Sequence, residues 1–223
     1  MISIALDGPA GAGKSSIAKA LAEKLGFIYV DTGALYRAIG LKFLNFGCNT
    51  DLDCDIGKIL KCTTVEIRHV NGEQHVFLDR EDVNGKIRTG EVAMMASAVS
   101  AVPEVRAFLL ETQRKFAEEY NVIMDGRDIG TVVLPNASFK FFITATTEDR
   151  ARRRCRDLEA IGEPADFETV FKEIEKRDYN DTHREAAPLK LAGDAILFDT
   201  TGNTLQQSVD VLYDTISKRL GKK

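Results

Sequence analysis

Residues 8–15 of this 223-residue chain read Gly-Pro-Ala-Gly-Ala-Gly-Lys-Ser, which fits G-x-x-x-x-G-K-[ST] at every fixed position. The stretch directly follows an apolar run, Ile2–Leu6, and opens an amphipathic one, Ser15–Leu25. A buried strand must therefore end in a curled loop that turns straight into a helix. Glycines let such a backbone curl until successive amide N–H groups converge on one phosphate. The helix start adds the positive end of its dipole. Lys14 is placed to reach β- and γ-phosphates, and the Ser15 hydroxyl suits magnesium. Lys14 is expected in an exposed loop, where its loss costs little packing.

The rest of the pattern is consistent with that start. Apolar runs at Phe27–Val30, Val122–Met124, Phe139–Ile143 and Ala195–Phe198 read as further strands. Helical periodicity covers 34–46, 105–120, 148–161, 167–181 and 204–220. Strand–helix alternation predicts an α/β sandwich of three layers, with a parallel sheet of about five strands. One segment breaks the rhythm. Thr64–Val70 and Glu73–Leu78 are β-branched or aromatic and flank Asn71-Gly72, the signature of a tight hairpin. Residues 79–86 are polar and lead towards a further short strand. A small antiparallel insertion over roughly 62–88 is expected.

Four more clusters carry charge where such sheets bind ligands, beyond the carboxyl ends of their strands. Arg37 lies one turn into the helix that follows Asp31-Thr32-Gly33, placed either to fork onto a phosphate or to project into solvent. Asp125 ends a strand, as an acid that holds magnesium does, and Arg127 and Asp128 follow it on a glycine-flanked loop. Arg150, Arg153 and Arg154 share one helical face, which suits either closure over a triphosphate or a solvated basic surface. Arg177, Asp181 and Arg184 are spaced by four and three along another helix, as a phosphate clamp or a surface ion-pair ladder.

Bulk properties narrow the partners. Net charge is −4, so no global positive field argues for nucleic acid or membrane, and no aromatic residues interleave with the arginine-rich helix. The four cysteines, Cys48, Cys54, Cys62 and Cys155, form no Cys-x-x-Cys pair and no zinc spacing with His69 or His75. Four reduced thiols are expected. The N-terminal apolar run breaks at Asp7, too soon for a signal peptide or a spanning helix, which makes the cytoplasm the default. No Asn-Lys-x-Asp tetrad of a GTPase occurs.

Taken together, 8–16, 31–37, 87–92, 125–133 and 177–184 resemble the bacterial cytidylate kinase family, over nearly the whole chain. The resemblance implies a fold of the P-loop NTPase type and MgATP-dependent phosphorylation of CMP and dCMP. It implies a core of 1–34, 121–147 and 189–223, an acceptor region of about 35–120 and an arginine lid of about 148–188. ATP would sit on Gly8, Pro9, Ala10, Gly11, Ala12, Gly13, Lys14, Ser15 and Ser16, with Ser15 and Asp125 on magnesium. Catalysis would rest on Lys14, Arg150, Arg153 and Arg154. Arg37, Arg127 and Arg177 would hold the acceptor phosphate, and Asp181 and Arg184 the ribose and phosphate side. Ser97, Arg106 and Asp128 would read cytosine, whose amino group and ring acceptors complement an acid beside an arginine. Thr32 stands where relatives often have Ser; it keeps the hydroxyl and adds a methyl. A cytoplasmic monomer with no nucleic-acid or membrane partner is expected. UMP or AMP as acceptor, or a nucleotide-dependent RNA-binding regulator, are the other readings.

Overall fold

Five apolar runs form one sheet and a sixth segment forms a second, smaller one, in a computed structural model that describes residues 1–70, 73–160 and 162–221. The first half runs β1 (Ser3–Asp7), α1 (Lys14–Leu25), β2 (Ile28–Asp31), α2 (Thr32–Asn45), α3 (Ile56–Lys61), β3 (Val65–Val70), β4 (Glu73–Leu78) and β5 (Glu81–Asp82). There follow α4 (Gly90–Val99), α5 (Pro103–Glu119), β6 (Val122–Gly126), a π-helical turn (Ile129–Val133) and β7 (Phe139–Thr144). The chain ends with α6 (Thr147–Ala160), α7 (Phe167–His183), β8 (Ile196–Asp199) and α8 (Leu205–Leu220).

Two compact units result: residues 1–29 with 120–223, and residues 30–119. In the first, the sheet order is β2-β6-β1-β7-β8, and β1 pairs parallel with β6 and β7 on either side. The expected five-stranded parallel sheet with flanking helices is present. Central strands are apolar on both faces because both are covered. Ile4, Leu6, Ile123, Phe141 and Ile143 pack with Ile17 and Leu21 of α1 and Leu212 and Ile216 of α8. Gly26 (φ +71°) ends α1 in a left-handed turn, and a Thr204–Gln207 capping box starts α8. Helices α6 and α7 form their own small core of Ala151, Val170 and Ile174, flanked by Leu158, Phe167 and Phe171. The register sets Leu6 beside Asp125 and Asp7 beside Gly126, so the strand ends bearing the charged clusters line up.

The second unit holds α2–α5 and the antiparallel sheet β3-β4-β5, the insertion expected from the hairpin pattern. The Asn71-Gly72 turn itself lies outside the described residues. Helix α2 packs on α4 at close range: a Cβ on Gly40 would lie 2.9 Å from the Ala96 nitrogen, so the contact needs a glycine. The sequence pattern missed two helices. α4 is rich in alanine and methionine, which blurs its buried stripe of Val92, Met95, Ala96 and Val99. α3 spans only six residues, too few for a period to show.

The expectation of four reduced thiols is corrected. Cys48 and Cys54 form a disulfide across the loop after α2, with Cα atoms 6.0 Å apart, while Cys62 and Cys155 are free. Gly47 (φ +78°) turns the chain back after the helix, so residues six apart meet. A spacing rule written for Cys-x-x-Cys does not register that. Among the described residues, no single helix is long and apolar enough to cross a membrane.

Candidate active site

Strand β1 feeds the phosphate loop past β7 with no room to spare. A Cβ on Gly8 (φ +148°) would lie 1.9 Å from the Ile143 carbonyl oxygen, which leaves glycine alone acceptable there. Gly13 (φ +86°) starts α1 without a side-chain cap, so no side chain competes for the N–H groups of its first turn. Lys14 is not exposed, as loop placement had implied, but buried, with Nζ donating to the Pro9 carbonyl at 2.6 Å. Burial and the charge of Arg127 pull its pKa well below the lysine value, with Asp125 opposing and Arg177 adding to the pull. Negative charge delivered here is matched by a cation already held in place.

The two oxygen donors expected on magnesium are brought together. Ser15 Oγ donates to Asp125 Oδ2 at 2.6 Å, and Tyr29 Oη donates to the other carboxylate oxygen at 3.0 Å. A hydroxyl beside one oriented carboxylate fits magnesium, which prefers few protein ligands and fills its octahedron with phosphate and water oxygens. Asp7 braces the next turn of chain. Its two oxygens accept from the Ile129 and Gly130 amides, each at 2.7 Å, where the π-helical turn begins. Burial pushes its pKa up to about 6, against the lowering effect of those two amides.

That bracing presents the charged loop. Arg127 Nε donates to Asp181 Oδ2 at 2.8 Å, and Arg184 Nη2 lies 3.9 Å from Asp128 Oδ1. Burial alone would raise the Asp181 pKa, but Arg127, Arg177 and Arg184 together hold it below the usual carboxylate range. The spacing of Arg177, Asp181 and Arg184 therefore does serve one locality, although Arg184 caps α7 rather than continuing it. His183 stacks on the exposed Tyr179 ring.

The arginines of α6 divide three ways. Arg150 is buried and its guanidinium is fully engaged: the Ala145 and Ala10 carbonyls, Thr147 Oγ1 and both oxygens of Asp178 accept from it at 2.5–3.1 Å. It ties α6 and α7 to the phosphate loop, so it does not share an exposed face with Arg153 and Arg154. Arg153 donates to Thr200 Oγ1 at 3.1 Å and the Thr200 carbonyl at 2.7 Å, and pairs with Asp149 at 2.5 Å. Its Nη1 lies 3.5 Å from where a Cβ on Gly13 would stand. Arg154 is exposed, as are Arg152 and Arg156.

In the second unit, Thr32 is buried at the first position of α2, and Asp31 caps the helix by accepting from the Ala34 amide at 2.9 Å. Asp31 Oδ2 also pairs with Arg37 Nη2 at 2.7 Å. Ser97 and Arg106 are linked through Ser100, whose hydroxyl donates to the Ser97 carbonyl at 2.8 Å and whose carbonyl accepts from Arg106 at 3.2 Å. The Arg106 guanidinium sits 5.9 Å from the Tyr36 ring centre. Sequence reasoning missed Asp7, Tyr29, Asp178 and Thr200, each an ordinary residue made important by its neighbours. Only Asp7, an acid ending the strand before the loop, carried a visible signal.

A parallel sheet whose first strand delivers a G-x-x-x-x-G-K-S loop, with an acid from the adjacent strand bonded to the loop serine, defines the P-loop nucleotide-binding fold. A gluconokinase from Sinorhizobium meliloti has this fold, with a TM-score of 0.50 at 13% identity, covering 98% of this chain and 95% of that one. A sequence model of the cytidylate kinase family matches residues 4–218, so this chain belongs to the cytidylate kinases. It is 49% identical to the cytidylate kinase of Caldicellulosiruptor bescii, over 98% of this chain and 99% of that protein. It is likewise 49% identical to that of Caldicellulosiruptor saccharolyticus, over 100% of this chain and 98% of that one.

Proposed function

We propose that the protein transfers the γ-phosphoryl group of MgATP to CMP and dCMP, in line and without a covalent enzyme intermediate. The observation that carries this is the 49% identity to cytidylate kinases along the full chain; the Ser15–Asp125 pair beside Lys14 supplies the matching chemistry. An oxygen of the acceptor phosphate attacks the γ-phosphorus, and the bond from that phosphorus to the β,γ-bridging oxygen breaks, releasing ADP. Positioning and charge neutralisation do most of the catalysis in such transfers, so no strong protein base is required.

Lys14 and the backbone of residues 8–16, through every N–H but that of Pro9, which has none, are assigned to the donor phosphates, with Arg153 and Arg154 neutralising charge as it shifts to the bridging oxygen. Ser15 and Asp125 would hold magnesium, which screens the phosphate oxygens. In the first unit, Arg127 and Arg177 are assigned to the acceptor phosphate, Asp181 and Arg184 to the ribose side, and Asp128 to the cytosine amino group. In the second, Arg37 is assigned to the acceptor phosphate with Thr32 beside it, and Ser97 and Arg106 to the base. Arg150 is moved from the catalytic set to a strut for the phosphate loop. The proposal extends to a protein that acts in the cytoplasm as a monomer.

A coupled ADP-release assay over CMP, dCMP, UMP and AMP tests the proposal. Rapid multiple turnover with CMP and dCMP, and weak turnover with the others, is expected. Hydrolysis of ATP that no monophosphate accelerates would overturn it.

A further inference from the structure

Gln74, which the family-derived site leaves out, grips the backbone of one residue at two points. Its Oε1 accepts from the Asp31 amide at 2.8 Å, and its Nε2 donates to the Asp31 carbonyl at 3.2 Å. That is the pairing a neighbouring strand would offer, delivered instead by one side chain from β4. Gln74 is itself held. Asn84 Nδ2 donates to the Gln74 carbonyl at 2.9 Å, and Asn84 Oδ1 accepts from the Val76 amide at 3.0 Å, which pins β4 at both positions.

Asp31 is the pivot on the other side. With its backbone clamped, one carboxylate oxygen caps α2 through Ala34 and the other accepts from Arg37 Nη2. The guanidinium lies close over Gly33, where a Cβ would come within 3.2 Å of Nη1. Arg37 Nε is buried and has no hydrogen-bond partner among the described residues. A buried, oriented, unsatisfied donor of a cation is a place for an anion. Asn84, Gln74, Asp31 and Arg37 thus form one continuous relay, all within residues 30–119.

We infer that Gln74 is a positioning residue for phosphate recognition: through Asp31 it fixes the angle at which Arg37 meets the acceptor phosphate. This assigns the small antiparallel sheet a task, which is to hold a glutamine against the start of α2. The inference rests on the proposed role of Arg37.

The test is a double-mutant cycle with Gln74→Ala, Arg37→Ala and the double variant, read as KM for CMP, KM for ATP, kcat and melting temperature. Losing the orientation of one charge-assisted phosphate contact should raise KM for CMP about tenfold in Gln74→Ala. KM for ATP should stay within about twofold, because the donor phosphates use other residues. In the Arg37→Ala background the second change should add less than about twofold, because the residue it orients is gone. If Gln74→Ala does not fold, Gln74→Glu keeps the acceptor for the Asp31 amide, loses the donor and should give a smaller rise in the same constant. A normal KM for CMP in the folded glutamine variant, or full multiplication of the two effects, overturns the inference while leaving Arg37 in place. A normal KM for CMP in Arg37→Ala overturns the Arg37 assignment and the inference with it.

Discussion

Lys14 holds its ammonium out of water against the Pro9 carbonyl, where burial and the Arg127 charge lower its pKa well below the usual lysine value. Replacing it with an apolar side chain of similar length should therefore leave the fold intact and remove a buried charge. Lys14→Met is expected to lower kcat at least about a hundredfold, the scale of losing a donor to the transition state. Its melting temperature should be no lower than that of the parent; near-normal turnover would refute the phosphate-loop assignment. Asp128 poses the complementary question of recognition. It is buried and has Arg184 nearby, at 3.9 Å. If its carboxylate accepts from the cytosine amino group, it also repels the carbonyl that uracil places there. Asp128→Ala should then narrow the preference in kcat/KM for CMP over UMP by at least about tenfold, the scale of one hydrogen bond to a charged group. An equal fall for both substrates would instead make Asp128 a partner for Arg184.

Helix α6 carries two kinds of arginine on one short segment, and the difference is one of packing. Arg150 places its donors on the phosphate loop, on α7 and on the chain leading into its own helix, whereas Arg154 faces solvent. Removing one partner of a buried pair leaves the other desolvated, at a cost of about 3–5 kcal/mol. Arg150→Met should thus lower the melting temperature by roughly 10 °C in a chain of this size. Arg154→Met should leave melting unchanged and reduce kcat more than it raises KM for CMP, if its charge acts on the transition state. Thermal melts beside steady-state kinetics separate the two, and matched melting curves would dismiss the strut. Helical periodicity placed both residues on one face; it carries no information about how deeply that face is covered along its length.

At the scale of the whole molecule, the most telling titration belongs to Asp7. Its carboxyl is pushed from 3.8 up to about 6 by burial, so the folded state binds its proton more tightly than the unfolded chain does. The sign follows from linkage: this contribution to stability is fully present below the unfolded pKa and is lost as pH rises through the folded one. A displacement of that size corresponds to roughly 3 kcal/mol. Asp7→Asn abolishes the titration and leaves the other carboxylates in place. The stability of the parent relative to the variant should therefore rise by about 2–3 kcal/mol between pH 7.5 and pH 4, read from urea unfolding. A difference that does not change with pH would mean that Asp7 is not a desolvated acid.

The elements of the core were legible because their physics is local. A glycine loop between an apolar run and an amphipathic one admits few conformations, and strand–helix alternation admits few sheets. Even the inserted β-sheet showed in its alternating pattern. The residues 8–16, Asp125 and the RDxxDxxR segment from 177 to 184 were found as clusters, since glycines and charges stand out against a polar surface. What tertiary structure alone decided is which charges are buried and what they touch. Arg150 became a strut, Lys14 was enclosed, Cys48 met Cys54, and Gln74 reached across 43 residues of chain to hold Asp31. These depend on burial and on long-range contact, which arise only when separate elements pack. A periodicity of two or 3.6 reports which way a side chain points from its own element, and nothing about what is waiting there.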